Sequence, residues 1–197
     1  SSFEKLPSNM LLRNLSINVE DFSNLVINAE TSQGKYKYAE HPGGAWGAYG
    51  IMPGHHGQKI LDGLREANLV PEGVTGKNFN NLSQEEKNLV KGVFLDPKNE
   101  WIQEAVYKRK VLPDFAPSIN KIYSTFESKG NSKFPSWLQT KERIAGFVHL
   151  VGGGAALEFI NNYTDNPSYA LKAFANTAGA TANRGVDGVI NNLNNYD

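Results

Sequence analysis

Apolar residues recur along most of this chain at intervals of three and four positions, which is the spacing of one face of an α-helix. The first such stripe consists of Phe22, Leu25, Val26 and Ala29. It follows Asn18, a residue type that favours the N-cap position, and an acidic first turn at Glu20 and Asp21. The pattern predicts a helix over 19–31 whose apolar stripe is buried.

Later stripes predict further helices, and start and stop signals mark their ends. Ser83 and Glu86 form a capping-box pattern, while Asp96-Pro97 ends one helix and starts another, because proline is tolerated in the first helical turn and not in the interior. Other breaks are expected at Gly130, at the glycine run 152–154 and at Asn166-Pro167. The stripes are Ile60, Leu61, Leu64 and Ala67; Leu89, Val90, Val93 and Phe94; Trp101, Ile102, Ala105 and Val106; Ile119, Ile122, Tyr123 and Phe126; Ile144, Phe147, Val148 and Val151.

The segment 32–57 breaks the helical pattern, since it is rich in glycine and contains two prolines. Tyr36 and Tyr38 alternate with Lys35 and Lys37, as residues of a short strand do. We expect turns and a small irregular β-hairpin around residues 34–52. The chain is therefore expected to fold as one α+β, predominantly helical domain over 1–197, with its core at about 18–178 and a weakly helical extension at 179–197.

The composition of the chain argues against several classes of binding partner and site. The chain has 197 residues, and its 20 basic and 20 acidic side chains cancel, so long-range attraction to nucleic acid or anionic lipid is not expected. It contains no cysteine, which excludes disulfides and thiolate metal sites. No apolar run reaches the roughly 18 to 20 residues of a membrane span, and Ser1-Ser2-Phe3-Glu4-Lys5 lacks the apolar core of a secretion signal.

Glu30 is the first candidate for chemistry. A single glutamate is ordinarily a solvated surface charge. Glu30, however, directly follows the apolar stripe of the predicted helix, which places it at the edge of the core. Loss of water there disfavours the charged carboxylate, so we expect a raised pKa that suits a general acid. Ser32 and Gln33 offer polar groups just beyond the helix end.

The segment from Trp46 to Pro53 is the second candidate. Its glycines fit an ordinary turn, but they also allow backbone amides to approach a ligand closely. Trp46 and Tyr49 can stack on flat ligand faces, and Met52 can fill an irregular pocket. The combination of these features predicts a binding loop.

Three motifs in this order resemble those of the lysozyme-like superfamily, nearest to its lytic transglycosylases. They are Glu30-Thr31-Ser32, Gly47-Ala48-Tyr49-Gly50-Ile51-Met52-Pro53 and Asp96-Pro97-Lys98-Asn99. The family has a helix-terminal Glu-Ser pair, a Gly-Ala-x-Gly-Leu-Met-Gln segment and an Asp-Pro-x-x-Asn helix start. The resemblance spans roughly residues 20–160, and the stretch from Ile144 to His149 lies where the family has Ala-Ala-Tyr-Asn-Ala-Gly.

The resemblance implies a lysozyme-like fold and cleavage of the β-1,4 bond between N-acetylmuramic acid and N-acetylglucosamine in peptidoglycan. Glu30 would protonate the glycosidic oxygen and then act as base while the muramyl 6-hydroxyl closes a 1,6-anhydro ring. The implied substrate contacts are Ser32, Gln33, Trp46, Tyr49, Met52 and His149. No cofactor is implied, the expected partners are glycan strands, and the enzyme would act on the cell wall, in the periplasm or outside the cell.

The chain departs from the family pattern at three places. Thr31 replaces serine, Pro53 replaces the substrate-binding glutamine, and Phe147-Val148-His149 replaces a tyrosine-asparagine pair. These changes suggest a divergent, phage-encoded member of the family. A larger virion or secretion assembly is a further expected partner. The same changes also motivate an alternative, a catalytically silent wall-binding module.

A hydrolytic lysozyme is the other alternative, and it requires a second carboxylate. Glu40 is the best candidate by sequence, because it lies ten residues after Glu30 in the predicted hairpin. A solvated loop charge is the alternative interpretation of this residue, and the more common one for a glutamate.

The four histidines do not predict a metal centre. His55 and His56 are adjacent, and neighbouring side chains in a turn rarely converge on one ion. The sequence lacks a His-x-x-x-His pair on a predicted helix, so we expect no metal.

Overall fold

The computed structural model describes residues 15–31 and 35–170. Helices dominate these residues, which confirms the predominantly helical class. Between residues 35 and 52 the β-structure consists of two isolated antiparallel bridges, which pair Glu40 with Trp46 and Trp46 with Ile51. The expected hairpin is thus reduced to a short irregular ladder.

Seven α-helices are described. They are α1 (Val19–Thr31), α2 (Pro53–Glu66), α3 (Gln84–Phe94), α4 (Glu100–Val106), α5 (Leu112–Lys129), α6 (Lys141–Val151) and α7 (Gly153–Tyr163). A π-helical segment, Tyr107–Val111, links α4 to α5, and short 3₁₀ segments occur at Phe79–Asn81, Pro97–Asn99, Asn131–Lys133 and Ser136–Leu138. Residues 167–170 are again helical, as the Asn166-Pro167 start predicts.

The described chain forms two compact units. Residues 30–112 make the first unit, and residues 15–29 together with 113–170 make the second. The expectation of a single catalytic domain over 1–197 stays a prediction. The expected extension 179–197 lies outside the described residues.

Several predicted helix starts are confirmed, because side chains satisfy the backbone amides that a helix leaves unpaired at its beginning. Asn18 Oδ1 accepts a hydrogen bond from the Asp21 amide at 2.9 Å. Ser83 and Glu86 form the complete capping box, with reciprocal bonds of 3.1 and 2.9 Å. Asp96 accepts from the Lys98 amide at 3.1 Å and so begins the segment that leads into α4.

The core of the first unit lies between α2, α3, α4 and the loop that precedes α2. Trp46 is buried in this core, where its indole packs edge-on to Phe79 at 6.2 Å and tilted against Phe94 at 6.4 Å. Members of the apolar stripes predicted from sequence are also buried in this core. These residues are Ile60, Leu61, Leu64, Val90, Ile102, Ala105 and Val106.

The core of the second unit combines α1 with α6, α7 and an aromatic cluster, which consists of Phe126, Phe134, Trp137, Phe147, Phe159 and Tyr163. Phe22, Leu25 and Val26 are fully buried, as the first stripe predicts. α1 approaches α6 closely, since a Cβ added at Gly146 would lie 2.2 Å from a Leu25 methyl group. Gly152, with a φ of +87°, separates α6 from α7 and confirms the predicted break.

The strand expected from the Lys-Tyr alternation at 35–38 is wrong, because these residues form a turn. The Ala39 amide donates to the Tyr36 carbonyl at 3.2 Å. The side chains of Lys37 and Tyr38 both reach Glu100 on α4, and the Lys37 carbonyl accepts from Gln103 at 3.1 Å. Long-range contacts with one helix therefore decide the local backbone, and the alternation in sequence does not.

Gly57 and Gly92 provide a matched test of packing in the first unit. A Cβ at Gly57 would lie 2.2 Å from the buried Phe79 ring, whereas a Cβ at Gly92 on the exposed side of α3 meets nothing within 4 Å. We expect Gly57→Ala to lower the free energy of unfolding by about 1–3 kcal/mol through overpacking. Gly92→Ala should raise it by about 0.5–1 kcal/mol. Urea titration of both variants measures the two effects, and equal effects would contradict the packing described.

Candidate functional site

Glu30 occupies the last turn of α1 and begins the first unit. The structure describes the backbone of Glu30, which is helical. The helix α1 ends at Thr31, as the sequence predicts. The catalytic role of Glu30 stays a prediction. Ser32 and Gln33 lie outside the described residues.

The loop that follows α1 is closed by backbone hydrogen bonds. Trp46 and Ile51 exchange two bonds, of 2.8 and 3.1 Å, and the chain between them reverses direction. Gly47 and Gly50 have φ angles of +76° and +56°, a region that disfavours residues with a Cβ. The glycines of the motif therefore serve the geometry of this reversal.

Gln103 of α4 binds the backbone of the loop 47–50 from the buried side. Its side chain is 1% exposed, and its Oε1 accepts a hydrogen bond from the Ala48 amide at 2.8 Å. Its Nε2 donates to the Lys37 carbonyl at 3.1 Å. A Cβ at Gly47 would lie only 2.2 Å from Gln103 Oε1, so the backbone approaches the amide as closely as glycine allows. One buried side chain thereby links the turn 35–38 to the loop 47–50.

Trp46 and Tyr49 are buried, whereas the expected stacking on a ligand requires exposed ring faces. Trp46 is 4% exposed and packs on Phe79 and Phe94. Tyr49 is 3% exposed and stacks on Tyr107, with ring centroids 4.6 Å apart and planes 10° apart. In this geometry both rings stabilise the loop from inside.

Glu40 is brought next to Trp46, as the β-bridge between them requires. Its Oε1 accepts a hydrogen bond from Trp46 Nε1 at 3.2 Å and lies 3.8 Å from Lys91 Nζ. The side chain remains half-exposed. A carboxylate held in this way has a defined orientation and a partly balanced charge.

Met52 is the loop candidate with an exposed side chain, at 40%. It precedes α2 in extended conformation, and Pro53 occupies the first helical position, where its missing amide hydrogen costs nothing. Pro53 therefore has a clear helix-starting role at the position where the family places glutamine.

His149 lies in the second unit, near the end of α6, and is half-buried beside the fully buried Phe147 and Val148. The other histidines are in the first unit. His41 Nε2 lies 2.7 Å from the Gly47 carbonyl, and its ring stacks on Tyr36 at 5.1 Å. Within 15–31 and 35–170, no three histidine or carboxylate side chains converge as metal ligands would.

The structure adds one cluster that the sequence analysis missed, formed by Lys37, Tyr38 and Glu100. Tyr38 OH donates to Glu100 Oε2 at 2.9 Å, and Lys37 Nζ lies 2.5 Å from Glu100 Oε1. The Tyr38 side chain is nevertheless 40% exposed. No local signal could have identified this cluster, since 62 positions separate Tyr38 from Glu100.

The Glu100 carboxylate determines the protonation of both partners. Its hydrogen bond raises the pKa of Tyr38 above the ordinary value, because the bond exists only while the phenol keeps its proton. The same carboxylate raises the pKa of Lys37, chiefly through the hydrogen bond. Both residues therefore hold their protons more firmly than free side chains do.

Protein-family models, curated proteins and solved structures contain no match to this chain. None of the described helices is long and apolar enough to cross a membrane, in agreement with the expectation from hydropathy. A functional assignment therefore rests on the chain's own motifs and geometry.

Gln103→Leu tests the link between the two loop segments. The substitution leaves the buried Ala48 amide without its acceptor, so we expect the free energy of unfolding to fall by about 1–3 kcal/mol. Hydrogen exchange at the Ala48 amide should accelerate in the same variant.

Gln84→Leu is the matched control for Gln103→Leu, since Gln84 is exposed on α3 and its Nε2 donates to the side chain of Asn88. Its free energy of unfolding should stay within about 0.5 kcal/mol of the parent. Similar losses in the two variants, or unchanged exchange at Ala48, would contradict a clamp at Gln103.

Glu100→Gln tests the Lys37–Tyr38–Glu100 cluster through the titration of Tyr38. Removal of the carboxylate should lower the pKa of Tyr38 toward the ordinary phenol value, so tyrosinate forms at lower pH. Ultraviolet absorbance against a Tyr38→Phe reference isolates this phenol from the other tyrosines. An unchanged titration curve would show that the hydrogen bond to Glu100 is not formed in solution.

Proposed function

We propose that this protein cleaves peptidoglycan between N-acetylmuramic acid and N-acetylglucosamine, as a lytic transglycosylase with a lysozyme-like fold. The observation that carries the proposal is the ordered motif set, in which Glu30 lies in the last turn of a helix and the loop from Gly47 to Met52 follows in the same unit. Further along the chain, Asp96-Pro97 begins the short 3₁₀ segment that leads into α4, which supports the helix start of the third motif.

Local structure around the motifs supports the proposal. The backbone of Glu30 lies within one residue of the end of α1, as the motif of a helix-terminal glutamate predicts. In the loop 47–50, Gly47 and Gly50 have positive φ angles, and Gln103 accepts a hydrogen bond from the Ala48 amide, so the glycines of the motif form a defined turn. The predominantly helical class is also compatible with the proposed fold.

In the proposed reaction Glu30 performs both proton transfers. Its protonated carboxyl gives a proton to the glycosidic oxygen as the bond to the muramyl anomeric carbon breaks. The resulting carboxylate then removes the proton of the muramyl 6-hydroxyl, whose oxygen bonds to that carbon and closes the 1,6-anhydro ring. Glu30 ends as it began, and no water or second carboxylate takes part.

Hydrolysis is the second candidate, and the position of Glu40 favours it over the silent module. Glu40 shares the first unit with Glu30, and its carboxylate is oriented by Trp46 while remaining half-exposed. Such a group could activate water or stabilise a glycosyl cation. Hydrolysis would then leave reducing muramyl ends and no anhydro ring.

Glu30→Gln tests the proposed acid. The amide cannot donate the catalytic proton, so lysis of purified cell walls should fall by at least about a hundredfold while the melting temperature stays near that of the parent. Glu20→Gln is the matched control, because it places the same substitution in the exposed first turn of the same helix. It should retain full activity. Full wall lysis by Glu30→Gln would refute the assignment.

Glu40→Gln, combined with mass analysis of the released fragments, separates the two chemistries. A transglycosylase should release anhydro ends and keep most of its activity in this variant. Reducing ends, together with activity lost in Glu40→Gln, would replace transglycosylation by hydrolysis. Tight wall binding without any soluble fragment would instead support a silent module.

A further inference from the structure

Tyr38 is an exposed aromatic side chain in the first unit. Among the described residues, the large hydrophobic side chains with substantial exposure are Tyr38, Met52, Leu89 and Tyr169. Two of them, Tyr38 and Met52, flank the glycine-rich loop that follows Glu30. Trp46 and Tyr49, which the sequence suggested as ligand contacts, are buried instead.

The Tyr38 ring is held in place although it is exposed. Its hydroxyl donates to Glu100 Oε2 at 2.9 Å, and Glu100 Oε1 is 2.5 Å from Lys37 Nζ. The carbonyl of Lys37 accepts a hydrogen bond from the buried Gln103 at 3.1 Å. Because Glu100 and Gln103 both belong to α4, the turn is fixed to one helix. A side chain immobilised before binding loses little entropy when a ligand arrives.

The chemistry of the cluster suits an uncharged ligand with an apolar face. The Lys37 ammonium and the Glu100 carboxylate are already paired, so the cluster offers little net charge to a polyanion. Lys37 Nζ lies over the Tyr38 ring at 5.7 Å from its centroid, which directs a ligand to the opposite face. The negative face of an aromatic ring attracts the weakly positive C–H edges that a pyranose ring presents.

The neighbouring Tyr36 serves a different purpose. Its ring stacks on the His41 ring, with centroids 5.1 Å apart, and Lys35 Nζ lies over the Tyr36 ring at 5.3 Å from its centroid. These contacts occupy the ring within the turn, whereas 40% of the Tyr38 side chain is open to solvent. Tyr38 is therefore the aromatic residue of this turn that a ligand can reach.

We propose that Tyr38 is a stacking platform for an N-acetylated sugar ring of the glycan strand, held by Glu100 and Gln103. This inference rests on the proposed function, because it assigns a glycan contact to the same unit that carries Glu30. In this proposal Tyr38, and not Trp46 or Tyr49, is the aromatic residue that contacts the glycan. The site recognises a neutral sugar face, so its affinity should depend little on salt.

The test measures binding in the full chain carrying Glu30→Gln, which prevents turnover of the probe. The probe is the uncharged tetramer of N-acetylglucosamine. Its dissociation constant is measured by calorimetry or from chemical-shift changes in the NMR spectrum of the backbone amides. Tyr38→Ala should weaken binding about threefold to tenfold, the range of one aromatic contact. Tyr38→Phe keeps the ring but loses the hydroxyl bond to Glu100, so its affinity should lie between those of the Tyr38→Ala variant and the Glu30→Gln chain.

Two controls make the result specific. Tyr169→Ala removes a similarly exposed aromatic side chain, 50% exposed, from the second unit and should leave binding unchanged. Tyr38→Leu keeps apolar bulk without an aromatic face and should lose affinity as Tyr38→Ala does. The leucine variant also serves if the alanine variant unfolds, and melting temperatures check the fold of all four.

Three outcomes would overturn the inference. Tyr38→Ala and Tyr38→Leu could bind as the Glu30→Gln chain does, or Tyr169→Ala could weaken binding equally, or the Glu30→Gln chain could fail to bind the probe. The first two would leave the proposed function intact as long as the parent chain lyses cell walls. Absence of wall lysis by the parent protein would instead refute the proposed function, whatever the binding result.

Discussion

The first unit depends on one buried amide, that of Gln103. Its Nε2 donates a hydrogen bond to the Lys37 carbonyl of the turn 35–38 at 3.1 Å, and its Oε1 accepts one from the Ala48 amide of the loop 47–50 at 2.8 Å. When the donor and the acceptor of one buried side chain bond to two separate backbone segments, the distance between those two segments is fixed. The exclusion of a Cβ at Gly47 follows from the same contact. The irregular part of the unit is therefore built on α4.

This clamp explains which side chains remain accessible. Trp46 and Tyr49 lie on the inner side of the loop, where they pack on Phe79 and Tyr107. Their burial stabilises a segment that has only two isolated β-bridges. Tyr38 and Met52 stay on the outer side. A glycan-cleaving enzyme built on this unit would meet its polymer through these outer residues and the loop backbone.

Local signals in the sequence predicted most of the helical structure correctly. The N-cap at Asn18, the capping box at Ser83 and the break at Gly152 act within a few residues, so each can be recognised without the tertiary fold. The turn at 35–38 could not be recognised in this way. Its alternating pattern is typical of a strand, but contacts with Glu100 and Gln103 override that preference.

The sequence by itself determined the helical class, the ends of the main helices and the motif order that places Glu30 before a glycine-rich loop. These features depend on side chains close together along the chain. Only the tertiary structure decided that Trp46 and Tyr49 point into the core while Tyr38 stays exposed. The reason is physical: an aromatic residue fits a core and a ligand surface equally well, and the choice depends on partners such as Phe79, Phe94 and Glu100 that are distant in sequence.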